Sequence, residues 1–203
     1  MTITVHQNDL PTTFKPAAVV AVDCEMMGLD FNRDRLCLVQ ISNGDGDAHL
    51  VQIGRDQAAA PHLQKILEDP EITKIFHFAR LDLAVLWVHL SIATQNVFDT
   101  KIASRLSRTY SDKHGYKDVA KEILGQDIKK DEQSSDWGAV TLTDAQKQYA
   151  ASDVLHLHQI KVQLDLMLAR EGRTELAAAC FDFLPTRAML DVAGWNDVDI
   201  FAH

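Results

Sequence analysis

The chain has 203 residues, 46 % of them hydrophobic and 24 % charged, and a formal net charge of −9 at neutral pH. The length suits one substantial core. No apolar run approaches membrane-spanning length, and the acidic balance excludes a general duplex-binding protein, which relies on basic surface. From the N-terminus, "AAVVAVDCE", "RLCLVQISN" and "AHLVQIG" read as strands divided by the turn signals "NRD" and "NGDGD", an antiparallel meander. "AAPHLQKILEDP" reads as a helix stopped by Pro70. "ITKIFHF" is a fourth strand and "ARLDLAVLWVHL" an amphipathic helix. After "NVFDT" the pattern is helical, with pieces near 100–109 and 116–124 before the loop "GQDIKKDEQSSDWGAV". Thr143 then opens one long helix through Arg170, and Gly172 separates it from a last helix near 173–190. Strands first, then strands mixed with helices, predict an α/β domain with helices on the sheet.

The start, "MTITVHQNDL", has neither a basic n-region nor an apolar h-region, which predicts a cytoplasmic protein with no membrane partner. Cys24, Cys37 and Cys180 have no CxxC spacing and read as small residues of a reducing compartment. Residues 101–130 carry eight Lys/Arg against four Asp/Glu. That local excess is either a solvated basic face or a patch for a short polyanion.

The chemistry concentrates on acids. Asp23 and Glu25 end an apolar strand one residue apart, so they share a face. Asp82 lies near the start of the second helix. Asp153 follows Tyr149 by four residues, which puts both on one helix face. Taken singly, each has an ordinary reading: a solvated strand edge, an early-helix acid, a polar-face residue, a packing tyrosine. Taken together they form a set. Two like charges 4 Å apart repel by about 4 kcal/mol at an effective dielectric near 20. Two hard divalent cations would neutralise four carboxylates, and Mg²⁺ and Mn²⁺ prefer oxygen ligands. A metal pair can also clamp a phosphodiester for hydrolysis.

The order "DCE", "HFARLD", "YAASD" resembles the DEDD superfamily of 3′→5′ exonucleases, and its Tyr-x-x-x-Asp third motif resembles the DEDDy branch. "FDTKIASRL", "LGQDIKKDEQSSDW" and "QKQYAASDVLHL" are similar to the exonuclease domain of ribonuclease D, over roughly residues 18–168. The chain leaves no room for the helical HRDC domains that follow that core in ribonuclease D. It therefore resembles the stand-alone nanoRNase C type, with a helical extension over about 172–203 inside a single domain, 1–203. The resemblance implies a ribonuclease H-like fold with a mixed sheet, antiparallel meander plus parallel strands, flanked by helices. It also implies hydrolysis of diribonucleotides and very short RNA to nucleoside 5′-monophosphates, and a homo-oligomer, an octamer in that family. Processing of longer RNA, action on single-stranded DNA, and an inactive nucleic-acid-binding module are the alternatives.

The resemblance assigns roles residue by residue. Asp23 bridges two metals, Mg²⁺ or Mn²⁺; Glu25 and Asp153 hold the metal that activates water; Asp82 helps to hold the second; Tyr149 orients the attacking water. "DCEMMGLD" resembles the first motif of oligoribonuclease, which makes Met26, Gly28 and Leu29 substrate-binding, with Leu29 wedged between two bases. His77 is expected beside the substrate. Arg108, Lys113 and His114, with Ser104 and Tyr110 behind them, are candidates to grip a 5′ phosphate, Arg because its planar fork makes two hydrogen bonds. Asp99 reads as a helix cap, and "HLH" at 156–158 lacks the spacing of a zinc motif. Gln133, Ser135, Asp136 and Trp137 resemble a family loop at the catalytic face. The sequence leaves Trp137 open between packing and substrate contact.

Overall fold

The structure is a computed structural model, and it describes residues 1–203 apart from Ala58, Lys129, Lys130, Asp131 and Gln133. Gln133 of the expected catalytic-face loop thus lies outside the described residues. Ile3 and Val5 alternate with Thr4 and His6, the two-residue period of a strand, and Ile3–Gln7 form β1. β2 (Val19–Met26), β3 (Leu36–Ser42) and β4 (Ala48–Gln52) form the expected antiparallel meander. After α1 (Pro61–Leu67), β5 (Thr73–Phe76) runs parallel to β2. Then come α2 (Arg80–Leu90) and β6 (Val97–Asp99), the latter parallel to β5. The sheet order is β1-β4-β3-β2-β5-β6. The rest is helical: α3 (Thr100–Ser107), α4 (Tyr116–Leu124), α5 (Asp144–Leu155), α6 (Leu157–Arg170) and α7 (Thr174–Leu190), ending in a π-type turn, Asp191–Trp195.

Both faces of the sheet are covered. Val20, Val22, Val39 and Ile41 pack on one face with α1 and α2. Ala21 and Ile75 pack on the other with α3, α4 and α6. Leu184 and Ala188 of α7 join the first layer and Ala177 and Phe181 the second, so α7 closes the β6 side. A double-sided cover explains why all seven residues of β3 are buried. It also explains why α2 is not amphipathic as expected. Leu83, Ala84, Val85, Leu86 and Leu90 are all buried, Asp82 is buried beside the cleft, and Trp87 and Val88 reach solvent.

Three further differences from the sequence reading have local causes. β1 is a parallel edge strand recruited by β4 and has no hairpin signal of its own. β6 has three residues, too few to show a period. The single helix expected from Thr143 to Arg170 breaks at His156, whose φ/ψ of −102°/−7° leaves the α-helical range. The break lets α5 lie on β2, β3 and β4 while α6 turns to α3 and α4. His158 then hydrogen-bonds the Val19 carbonyl at 3.1 Å. The three cysteines are free thiols.

Candidate active site

The site forms at the C-terminal ends of β2 and β5, where open α/β sheets hold their ligands. Alternation along β2 turns Val20 and Val22 towards α2, and Asp23 and Glu25 to the other face, towards α5. Asp23 stands opposite Gln40 in the β2–β3 register. The fully buried Gln40 side chain donates from Nε2 to Asp23 Oδ2 at 3.3 Å. A bulge between Glu25 and Met26 ends the regular pairing. The chain then turns, closed by Asp34 N–H to the Asp30 carbonyl at 2.6 Å, and leaves Leu29 83 % exposed. Gly28 lets the Asp34 carboxylate pack close to the turn: a Cβ there would lie 2.2 Å from Asp34 Oδ2, so a larger residue would displace that side chain.

α5 delivers the second half. Thr143 caps it through a reciprocal box: Gln146 N–H donates to Thr143 Oγ1 at 3.1 Å, and Thr143 N–H donates to Gln146 Oε1 at 2.8 Å. One turn apart on this helix, Tyr149 and Asp153 reach the end of β2. One carboxylate oxygen each from Asp23, Glu25 and Asp153 lies within 4.8 Å of the others. Asp82, in the first turn of α2, is buried and hydrogen-bonded by the Cys24 thiol and backbone N–H. Asp99 fixes where α2 begins. Fully buried, it caps α3 as expected, accepting from Lys101 N–H at 2.8 Å and Ile102 N–H at 3.0 Å, and also accepts from Ala79 N–H at 2.8 Å.

These acids strain one another electrostatically. Burial, then the charges of Asp82, Asp153 and Glu25, hold the Asp23 carboxyl well above the usual carboxylate range. Burial, then Asp153 and Asp82, push Glu25 up to about 9. Burial pushes Asp82 up to about 8. Alone, the cluster would take up protons at neutral pH. A hard divalent cation removes the conflict by supplying positive charge to oxygen ligands at close range, so the donor set fits such an ion. Tyr149 is half-buried and hydrogen-bonded to Asp153. Burial and then the three carboxylates raise its phenol above the ordinary tyrosine value.

The surrounding cleft encloses about 700 Å³. Trp137 forms part of its wall and is 2 % exposed, its indole tilted against the Tyr149 ring with centroids 5.9 Å apart. The indole is thus a packed part of the cleft wall. Its loop is pinned by three donors to backbone carbonyls: Arg35 to Gly138 at 3.2 Å, Gln52 to Ala139 at 2.6 Å and Gln146 to Asp136 at 3.0 Å. His77 also borders the cleft. Thr100 Oγ1 gives its proton to the Phe76 carbonyl at 3.0 Å, so it accepts from His77 Nδ1–H at 2.9 Å and sets the ring's tautomer.

The structure brings Asp23, Glu25, Asp82, Tyr149, Asp153, Met26, Gly28, Leu29 and His77 to this one cleft. It does not bring Arg108, Lys113 or His114. The Arg108 guanidinium has no exposed surface and is committed to Ser104 Oγ at 2.7 Å, the Lys113 carbonyl at 2.9 Å and the Glu122 carboxylate. It clasps α3 to α4 and does not line this cleft. His114 bonds Ser104 at 2.9 Å and Tyr110 bonds Glu122 at 2.8 Å in the same network, and Lys113 points to solvent beside it. The sequence reading missed Gln40, Phe78, Lys101 and Tyr116. Gln40 carried a signal as a polar residue in the middle of an apolar strand, and Lys101 as the first residue of the basic stretch.

A model of the 3′–5′ exonuclease family matches residues 4–169. Brucella melitensis NrnC with bound Mg²⁺ matches with a TM-score of 0.95 and 54 % identity over 100 % of both chains. Brucella melitensis NrnC bound to pGG matches with a TM-score of 0.96 and 55 % identity, over 100 % of this chain and 99 % of that one. Ribonuclease D of Gluconacetobacter diazotrophicus is 36 % identical over 163 residues, 79 % of this chain and 40 % of that protein, so the chain spans about two fifths of that relative's length. The likeness in sequence and the likeness in structure both run through the acid-bearing core, and the chain belongs to the 3′–5′ exonuclease family.

Proposed function

We propose that this protein hydrolyses diribonucleotides and very short RNA from the 3′ end to nucleoside 5′-monophosphates, using two divalent cations, Mg²⁺ or Mn²⁺, in the cytoplasm. The observation that carries the reading is the meeting of Asp23, Glu25 and Asp153 within 4.8 Å beside the Tyr149 phenol. The likeness to a relative bound to pGG supports a short substrate. Asp23, Glu25 and Asp153, with Asp82 beside them, would hold the ions. Bound ions of this kind supply acidified water and offset phosphate charge.

The chain's own residues do the rest. Gln40 holds the Asp23 carboxylate in orientation from the adjacent strand. Tyr149 keeps its proton in a hydrogen bond to Asp153, which leaves a lone pair of the phenol oxygen to accept a hydrogen bond from the attacking water and aim it. Trp137 braces the phenol ring. Met26, Gly28, Leu29 and His77 shape the substrate end, and the exposed Leu29 at the cleft supports a wedge between neighbouring bases. Assembly as a homo-oligomer, an octamer in this reading, belongs to the same proposal.

The test is a length series. A 5′-phosphorylated RNA dimer, a seven-mer and a single-stranded DNA are digested with Mg²⁺, with Mn²⁺ and with chelator. Mononucleotide release from the dimer, fastest of the three and abolished by chelator, is the expected result. Faster release from the seven-mer favours a ribonuclease D-like processor, and no metal-dependent release from any substrate sinks the enzyme reading.

A further inference from the structure

Phe78 lies in the turn from β5 into α2 with φ of +71°. A bulky side chain in the left-handed region is strained and persists only where its surroundings impose that backbone. Asp99 imposes it. The buried carboxylate accepts from Phe78 N–H at 3.3 Å and Ala79 N–H at 2.8 Å on one side, and from Lys101 N–H at 2.8 Å and Ile102 N–H at 3.0 Å on the other. One buried group therefore fixes the backbone from which both the Phe78 ring and the Lys101 side chain extend. The Lys101 Nζ lies 3.8 Å from the ring centroid.

Glycine would take this backbone shape without strain, yet the chain keeps a phenyl ring here. The ring does not contribute to the core. It is 46 % exposed and stands outside the three hydrophobic clusters formed by the described residues. It borders the cleft that holds Asp23, Glu25 and Asp82, as does Lys101. An exposed aromatic face at the rim of a site for short nucleic acid matches the way single-stranded bases are held, by sequence-tolerant stacking on aromatic rings.

We propose that Phe78 is a base-stacking residue of the substrate cleft, held at the rim by Asp99. This rests on the exonuclease reading above and adds one element to it: a binding contribution from a base that does not depend on which base it is.

The experiment compares wild type with Phe78→Gly, Phe78→Leu and Phe78→Tyr on a 5′-phosphorylated RNA dimer and on two analogues, each abasic at one of its two positions. Phe78→Tyr keeps a flat ring and should retain KM. Phe78→Leu keeps apolar bulk without a stacking face, and Phe78→Gly removes both. Both should raise KM for the dimer roughly 5- to 100-fold, the range of a lost base–aromatic stack, with a smaller effect on kcat. On one of the abasic analogues the variants and wild type should converge. Phe78→Gly should melt no lower than wild type, since it relieves the strain. An unchanged KM in Phe78→Leu, or an equal loss on the dimer and on both analogues, overturns the proposal. These outcomes are distinct from failure of the exonuclease reading, which would show as a wild-type protein that cuts none of the substrates.

Discussion

At neutral pH the Tyr149 phenol holds its proton firmly, because burial and three neighbouring carboxylates all oppose a phenolate. In the metal-free fold this favours the neutral phenol, and its oxygen is the atom placed to handle the attacking water. Tyr149→Phe keeps the ring against Trp137 and deletes only that oxygen. We expect kcat to fall about 10²- to 10⁴-fold, the usual scale for a positioned proton-handling group, with KM and melting temperature little changed. Turnover near wild type, read by mononucleotide release, would remove Tyr149 from the mechanism. At this scale the sequence was informative about the acids, because D-x-E on an apolar strand and Tyr-x-x-x-Asp on a helix carry their geometry in their spacing. It was silent on the meeting of Phe78 and Lys101, which depends on a backbone conformation that Asp99 imposes from the end of β6.

Among the elements, α3 and α4 show how a basic stretch misleads. The excess of Lys and Arg over residues 101–130 suggested a phosphate grip, and one of its candidates, Arg108, is buried and hydrogen-bonded inside the fold. Charge is visible in sequence, but whether a guanidinium is buried depends on what packs over it. Arg108→Ala should cost about 2–3 kcal/mol, the loss of hydrogen bonds to a charged donor, while the preference for dimers over longer RNA stays as in wild type. Urea denaturation beside the length series reads both, and a changed length profile at wild-type stability would return Arg108 to the substrate. The break at His156 was hidden for a related reason. The helical period runs through it unbroken, and the change of direction comes from two helices seeking different partners on the sheet.

For the molecule as a whole, the site is a load on stability. The Glu25 and Asp82 carboxyls stand at about 9 and about 8 in the metal-free fold, against ordinary values of about 4.3 and 3.9. Between those limits the folded state binds more protons than the unfolded chain, so stability falls as pH rises. Divalent cations displace those protons, and their binding strengthens with pH. The melting temperature of chelator-treated protein should therefore drop between about pH 5 and pH 9, and the gain on adding Mg²⁺ should be larger at about pH 9 than at about pH 6. Thermal melts across that range with and without Mg²⁺ check this; a gain independent of pH would mean that the acids are already ionised without metal. The last turn shares in holding the site. Arg80, two residues before Asp82, bonds Asp191 at 2.5 Å and 2.7 Å, and Arg187 bonds the same carboxylate, so the chain's end braces the start of α2.

Periodicity, turn residues and capping act between near neighbours, which is why the meander, the main helices, the cap at Thr143 and the identity of the acids are legible in the chain alone. That β1 and β6 complete the sheet, that Arg108 is a clasp and that Phe78 faces the cleft emerge only on folding. Each of those depends on a contact between distant segments, and the free energy of burying a group against such a segment outweighs whatever its local pattern prefers.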